Sequence, residues 1–316
     1  MQQRTGEHAA RVELIEIDVE QAGQRLDNFL LARLKGVPRS HVYRIVRSGE
    51  VRVNSARTRP DQRLAVGDRV RVPPVRVAER VAVVPGDGLR QSLQERILYE
   101  DAALLVVDKP SGLAVHGGSG VSLGLIEAMR ALRRDCASLE LVHRLDRETS
   151  GCVMIARKRA MLRYLHEALR EGRIVKTYTT LVAGCWPRRL LRVSAALEKN
   201  ILRSGERMVR ASEQGKVSET RFRVLECYRD ATLLEAQPLT GRTHQIRVHA
   251  QVSGHPVAGD EKYGDREFDS RMRELGLRRL FLHASAIELM LPDGRPLKVC
   301  APLDPVLARF LEILPR

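Results

Sequence analysis

The sequence predicts a protein of two domains with mixed α and β structure, for which a polyanion is the first partner to consider. Its 316 residues exceed the span of one ordinary core, and an apolar content of 43% is ample for a large one. Segments of period two and period 3.6 follow one another along the chain, so strands and helices both occur. The net charge of +15 is unevenly placed: Gly23 to Arg76 holds 13 basic and 4 acidic residues, a net +9 in 54 positions. That concentration marks a separate basic module.

Composition excludes several classes. No apolar run approaches the ~20 residues that span a bilayer, and MQQRTGEHAA lacks the apolar core of a signal peptide. A cytoplasmic protein without membrane contact is expected. The five cysteines, Cys136, Cys152, Cys185, Cys227 and Cys300, form no C-x-x-C, so neither a zinc site nor a disulfide framework is expected. Arginine supplies 46 of the 54 basic residues, which suits bidentate phosphate contacts and equally a codon bias.

Residues 1–12 are polar and aperiodic, a loose tail. Residues 13–19 alternate as a short strand. From Arg25, the apolar Leu26, Phe29, Leu30 and Leu34 have helical spacing, with Gly36 and Pro38 as the stop. Ser40 is expected to cap a second helix. In it Val42, Ile45 and Val46 turn inward, while Arg39, Tyr43 and Arg47 share the other side, with Arg44 beside them. An aromatic between arginines suits contact with a nucleic-acid backbone; the other reading is a solvated basic face. V-R-V-N (Val51–Asn54) and R-V-R-V (Arg69–Val72) alternate as strands with arginines opposite valines. Pro73 and Pro74 end the module, which spans 13–76, and residues 77–96 have no sustained period and are assigned to a linker.

The second domain, 97–316, opens on a buried strand, Leu104–Val107, turned by Lys109-Pro110-Ser111-Gly112 into a glycine-rich loop that ends at Gly120. His116-Gly117-Gly118 suggests a lipase oxyanion loop, but the chain has no G-x-S-x-G, and neither G-x-x-x-x-G-K-[ST] nor G-x-G-x-x-G is present. The loop is therefore expected to support its neighbour. A helix, about Leu123–Arg133, leads to two apolar stretches, Leu139–Val142 and Cys152–Ile155, that hold H-R-L-D-R-E-T-S-G between them. Asp146 and Glu148 are its carboxylates. Asp146 lies between Arg144 and Arg147, near His143, and a neighbouring guanidinium favours an anion able to act as nucleophile or base. For an isolated turn, an aspartate bonded to its own backbone is the ordinary reading. The rest of the chain must decide.

An amphipathic helix, Lys158–Glu171, precedes a strand, Lys176–Gly184, that carries Tyr178. R-S-G-E-R has the look of a variable segment, and Ser218–Leu225 with Ala231–Gln237 forms a hairpin. In L-T-G-R-T-H-Q-I-R-V-H, Thr240 or Thr243 can cap a helix to about Ser253, with Arg242 at its start and His244 and Arg247 three apart. Its first turn can present cations to an anion, either a phosphate or Asp146. His244 and His249 do not share a face, so no metal is expected. H-P-V-A-G-D-E-K-Y-G, a charged insertion from Asp265 to Arg279, L-F-L-H-A-S-A-I-E-L and a final strand close the chain.

Two resemblances join these pieces. R-L-D-N-F-L, V-P-R-S-H-V-Y-R-I-V-R-S-G-E-V-R-V-N and L-A-V-G-D-R-V-R-V resemble the S-four-type RNA-binding domain, which implies docking on structured RNA through shape and phosphates. H-R-L-D-R-E-T-S-G, K-T-Y, G-R-T-H-Q-I-R-V-H, H-P-V-A-G-D-E-K-Y-G and L-F-L-H-A, in this order, resemble the pseudouridine synthases of the RluA family. V-R-V-P-P-V-R-V-A-E and H-G-G-S-G resemble its RluC type, which modifies large-subunit ribosomal RNA.

The resemblance implies an α+β catalytic domain on a mixed, largely antiparallel sheet, and a reaction without cofactor that converts uridine to pseudouridine. By motif position Asp146 is the catalytic residue, whether it attacks the ribose, adds to the uracil or removes a ribose proton. Tyr178 is expected against the uracil ring, Arg247 beside Asp146 to keep it ionised, Arg144 in displacing the target base from its stack, and Arg242 at a phosphate or loop. Large-subunit ribosomal RNA is the implied partner of a monomer with no protein partner. The alternative is a non-catalytic RNA-binding assembly factor.

Overall fold

The computed structural model describes residues 12–34, 37–75, 85–117, 123–133, 139–201 and 207–316. The expected N-terminal tail up to residue 11, Gly36, most of the first half of the linker, the end of H-G-G-S-G, Cys136 and the R-S-G-E part of the variable segment lie outside the described residues. The chain divides into two units, Met1–Ala82 and Val83–Arg316.

Alternating valine and arginine builds the first unit. Its elements are β1 (Glu13–Glu16), α1 (Leu26–Arg33), α2 (Arg39–Arg47), β2 (Arg52–Val53), β3 (Ala56–Arg57) and β4 (Arg69–Val72), with strands ordered β1-β4-β2-β3 and every pair antiparallel. Val53, Val70 and Val72 are buried with Leu26, Leu30, Val42 and Ile45, while Arg52 and Arg69 on the opposite face are exposed. One expectation needs correction. Ser40 is no cap: Pro38, whose ring fixes φ near the helical value, takes that position and Ser40 lies inside the first turn. Tyr43 is half-buried, and its hydroxyl donates to Asp27 Oδ2 (2.9 Å), which also accepts from Arg25 (2.7 Å). It ties α2 to α1, leaving Arg39, Arg44 and Arg47 as the exposed basic face of α2.

The second unit comprises α3 (Asp87–Glu95), β5 (Ile97–Glu100), β6 (Leu104–Lys109), α4 (Leu125–Leu132), β7 (Glu140–Leu141), β8 (Ser150–Ala156), α5 (Arg159–Arg170), β9 (Val175–Ala183), β10 (Arg192–Ile201), β11 (Arg207–Ala211), β12 (Lys216–Cys227), β13 (Ala231–Pro238), α6 (Gln245–Val252), α7 (Arg266–Glu274), β14 (Leu282–Met290), β15 (Pro296–Cys300) and α8 (Pro305–Ile313). Its 11-stranded sheet runs β11-β10-β12-β13-β9-β14-β8-β6-β5, with β15 on β14 and β7 on β8. The pair β8–β14 is parallel and the others are antiparallel, the mixed, largely antiparallel sheet of an α+β protein.

Every residue of β6 and β8 is buried. Leu105, Val107, Val153 and Ile155 face the α4 side, and Leu104, Val106, Cys152 and Met154 face the α5 side, as a period of two demands of strands covered on both faces. The loop between β7 and β8 therefore leaves a rigid part of the sheet. Residues 87–95, assigned to the linker, form α3 and bury Leu93 in this core. The charged insertion contains α7: Asp265 caps it through Phe268 N–H, and Phe268 and Met272, one turn apart, are buried beneath its charged face.

Candidate active site

The loop from Val142 to Thr149 is held through its backbone. Lys109, fully buried, donates from Nζ to the carbonyls of Pro110 (2.9 Å), Leu113 (2.8 Å) and Arg147 (3.0 Å). Burial pushes the ammonium down to about 7, while three carbonyl acceptors match the three N–H donors of its charged form. Gly112 N–H donates to Arg147 O (2.9 Å), Arg147 Nε returns a bond to Gly112 O (2.9 Å), and Ser111 Oγ donates to Glu148 O (2.8 Å). Thus the Lys-Pro-Ser-Gly turn supplies the support expected of the longer glycine-rich loop.

This clamp changes the reading of Asp146's neighbours. Arg147 is spent on Gly112, and His143 Nε2 accepts from Met154 N–H (3.1 Å), in a desolvated setting that pushes the imidazole down to about 3. Arg147 keeps its charge but directs it at the Gly112 carbonyl and at Glu148, and His143 brings no cation to Asp146. The groups that face its carboxylate come from the far end of the sequence: Arg247 Nη1 lies 3.5 Å and His244 Nε2 3.8 Å from Oδ2. The expected proximity of Arg247 is thus present, yet its tight partner is another residue. Arg247 Nε and Nη2 each donate to Asp260, both at 2.6 Å, in a buried bidentate pair. Sequence reasoning singled out the motif containing Asp260 and gave that residue no role; burial of the guanidinium is what demands a dedicated counter-ion.

Asp146, its side chain 20% exposed, opens into a cleft of about 890 Å³. Tyr178, on β9, lines one wall; its ring is buried, burial and the nearby Asp146 raise its hydroxyl pKa, and the hydroxyl has no hydrogen-bond partner among the described residues. Arg144, Arg170, Lys176, Arg221 and Arg242 also line the cleft, and none is ion-paired with a carboxylate among the described residues. Burial lowers the Lys176 ammonium from its usual range. Among the described lining residues Asp146 is the one carboxylate.

The helix that carries Arg247 starts differently from expectation. Neither threonine caps α6; His244 holds the cap position in the left-handed conformation, φ 53°. Gln245 folds back instead, its Oε1 accepting from Arg242 N–H (3.0 Å) and Thr240 Oγ1 (2.7 Å). A five-atom amide reaches a donor that a threonine hydroxyl, drawn to Glu219 N–H (3.1 Å), does not serve. The site draws on the loop, β9 and α6; Arg39, Arg44 and Arg47 belong to the other unit. Among the described residues no three His, Cys, Asp or Glu side chains group as metal ligands, and no helix is long and apolar enough to cross a membrane.

A family model for RNA pseudouridylate synthase matches residues 103–252, and one for the S4 domain matches residues 24–70. The chain is 56% identical to ribosomal large subunit pseudouridine synthase C of Pasteurella multocida (strain Pm70) over 306 residues, 96% of this chain and 94% of that protein. It is 55% identical to the protein of that name from Escherichia coli (strain K12), over 96% of this chain and 97% of the other. Among solved structures, human RNA pseudouridylate synthase domain containing 4 aligns with a TM-score of 0.60 and 27% identity, covering 72% of this chain and 98% of its own. Identity at this level over nearly the whole length of both proteins makes the chain a member of the RluA family of pseudouridine synthases, among the large-subunit type C proteins.

Proposed function

We propose that the protein isomerises specific uridines of large-subunit ribosomal RNA to pseudouridine, with Asp146 as the catalytic carboxylate. One observation carries this reading: among the described lining residues a lone carboxylate shares its cleft with the ring of Tyr178 and with Arg144, Arg170, Lys176, Arg221 and Arg242, none of them ion-paired with a carboxylate among the described residues. The cations suit a polyanionic chain, and the ring suits a base that must be retained while it turns. The names of the relatives support the same substrate.

The reaction needs no oxidant and no second substrate. The N1–C1′ bond breaks, the uracil turns, C5 bonds to C1′, the C5 proton leaves and N1 gains one, so composition is unchanged. Asp146 is the lining carboxylate that can act on the nucleotide, and Arg247 and His244 lie nearest its Oδ2. Tyr178 supplies an apolar face that does not commit the turning base to one hydrogen-bond pattern. Arg144 and Arg242, exposed at the cleft, are assigned to the displaced strand and its phosphates.

The test is chemical mapping of pseudouridine in large-subunit RNA from cells whose own copy is deleted and replaced by wild type or by Asp146→Asn. Wild type restores sites that Asp146→Asn leaves as uridine. Restoration by both would make the protein a non-catalytic assembly factor, and release of free uracil would make it an N-glycosidase.

A further inference from the structure

The H-P-V-A-G-D-E-K-Y-G segment, whose Asp260 holds Arg247, also reaches toward the Asp146 carboxylate through Tyr263 and one imidazole. Tyr263 is buried, and its Oη accepts a hydrogen bond from Val209 N–H (2.8 Å) and lies 2.7 Å from His244 Nδ1. Tyr263 N–H and Lys262 N–H in turn donate to Asp260 Oδ1 (3.1 and 3.0 Å). The carboxylate that grips Arg247 therefore also fixes the turn that carries Tyr263. The Arg247 guanidinium lies over the Tyr263 ring, 4.9 Å from its centroid, and the His244 ring meets the same ring edge-on at 5.5 Å.

The hydrogen on Tyr263 Oη decides what His244 does. Oη already accepts from Val209, and among the described residues His244 Nδ1 is the one acceptor within reach of its own O–H. A buried hydroxyl hydrogen left without an acceptor is costly, so Tyr263 donates to Nδ1 and Nδ1 carries no proton. The remaining nitrogen, Nε2, then bears the hydrogen, and it points at Asp146 Oδ2 from 3.8 Å. His244 holds φ 53°, a left-handed conformation that is strained for a residue with a Cβ.

We infer that His244 is a positioning residue for Asp146: a neutral imidazole, locked by Tyr263 as the Nε2–H tautomer, that presents this N–H to Oδ2 at 3.8 Å, beyond hydrogen-bond length, and closes to a hydrogen bond in the substrate complex, setting the carboxylate's orientation without neutralising its charge. A protonated imidazole would pair with Asp146 as a cation and blunt its basicity. A neutral donor holds the carboxylate while leaving its negative charge intact. The charged and titratable groups that face His244 are Asp146 from the loop, Arg247 from α6, and Asp260, Lys262 and Tyr263 from the turn. Burial lowers the imidazole pKa, with Arg247 and Lys262 adding to the effect and Asp146 and Asp260 opposing it. Burial raises the Tyr263 pKa, which keeps its hydroxyl a donor.

The inference that this geometry serves catalysis rests on the proposed reaction; the tautomer itself does not. The test therefore has two parts. In the full-length wild-type protein, long-range proton–nitrogen NMR correlations of the histidine rings, with His244 identified by its loss in His244→Gln, should show Nδ1 unprotonated and Nε2 protonated at pH 7. The ring should stay neutral as the pH falls through the ordinary histidine range. A protonated Nδ1 at pH 7, alone or in an imidazolium, overturns the proposal whatever RNA the protein modifies. In single-turnover assays at saturating RNA, His244→Ala should lower the rate of pseudouridine formation up to about a hundredfold with KM little changed, as misplacement of a reacting group does. His244→Gln, whose amide N–H can reach toward Oδ2, should recover at least tenfold of that loss. Equal loss in both variants overturns the donor role. A wild type that makes no pseudouridine refutes the reaction alone, because the NMR result still stands or falls by itself.

Discussion

At the scale of single residues, the geometry around Arg247 separates a structural ion pair from a functional one. Its two short bonds go to Asp260, whose side chain is wholly buried, and its longer contact of 3.5 Å goes to Asp146. Two charges removed from water need each other: breaking such a pair typically costs about 3–5 kcal/mol because the survivor is left buried and uncompensated. Asp260→Asn should lower the unfolding free energy of the catalytic unit by that order, measured by urea denaturation followed through Trp186. It should also draw Arg247 toward Asp146, the remaining carboxylate beside it, so that surviving folded protein turns over slowly. A loss below about 1 kcal/mol would mean that Arg247 finds water, contrary to its burial. The pairing was not legible from sequence, where Arg144 and Arg147 flank Asp146 and nothing indicates that Arg147 is engaged by the carbonyl of Gly112. Adjacent residues in a loop point apart; contacts across the fold decide the electrostatics.

At the scale of elements, the loop bearing Asp146 is only as exact as the strand that follows it. Gly151 sits at φ +106°, and a Cβ there would stand 2.2 Å from Ala284 O, within the parallel pairing of β8 with β14. Ser150, next to it, is bonded to His283 (2.9 Å) and Arg279 (2.7 Å). Gly151→Ala should therefore combine backbone strain with a collision that neither strand can relieve, costing roughly 2–6 kcal/mol. Thermal unfolding should show this as a lowered Tm, and a Tm within about 2 °C of wild type would mean that the strands separate more readily than their register suggests. The strand's own sequence announced β8, since its run of branched and aliphatic residues fits a strand buried on both faces. Likewise β9, β12 and β13 were legible from alternation and turn residues. Other elements hid their signals among charges: α7 presents only Phe268 and Met272 to the core, and α3 only Leu93 fully. Two apolar residues one turn apart in a charged segment suffice when a cap such as Asp265 and a receptive core wait for them. The start of α6 was misread for another reason, because Thr240 and Thr243 both satisfy the local capping rule, and the choice of Gln245 depends on β12, which supplies Glu219 O to its amide (2.9 Å).

At the scale of the whole molecule, positive charge without a carboxylate partner among the described residues occurs in both units, and two groups of it should affect RNA differently. In the second unit it walls a concave cleft around a carboxylate. In the first it lies on α2, where Arg39, Arg44 and Arg47 are exposed and form no ion pair with a carboxylate among the described residues. The Arg44 guanidinium lies 3.2 Å from His41 Nε2. The Tyr43 hydroxyl is bound to Asp27, which braces the helix pair, and we propose that contact with RNA falls to the guanidiniums. Such contacts release counterions from the phosphate backbone, about 0.7–0.9 for each phosphate neutralised. Replacing Arg39, Arg44 and Arg47 together by alanine should therefore weaken binding to a large-subunit RNA fragment and make the slope of log Kobs against log salt shallower by about 2. Tyr43→Phe should leave that slope unaltered and instead lower the stability of the first unit by about 1 kcal/mol, through the lost bond to Asp27. These two readouts distinguish an RNA-binding face from a bracing one: a slope unchanged by loss of three arginines would reduce the α2 face to a solvated surface, and a slope changed by Tyr43→Phe would return the tyrosine to the RNA.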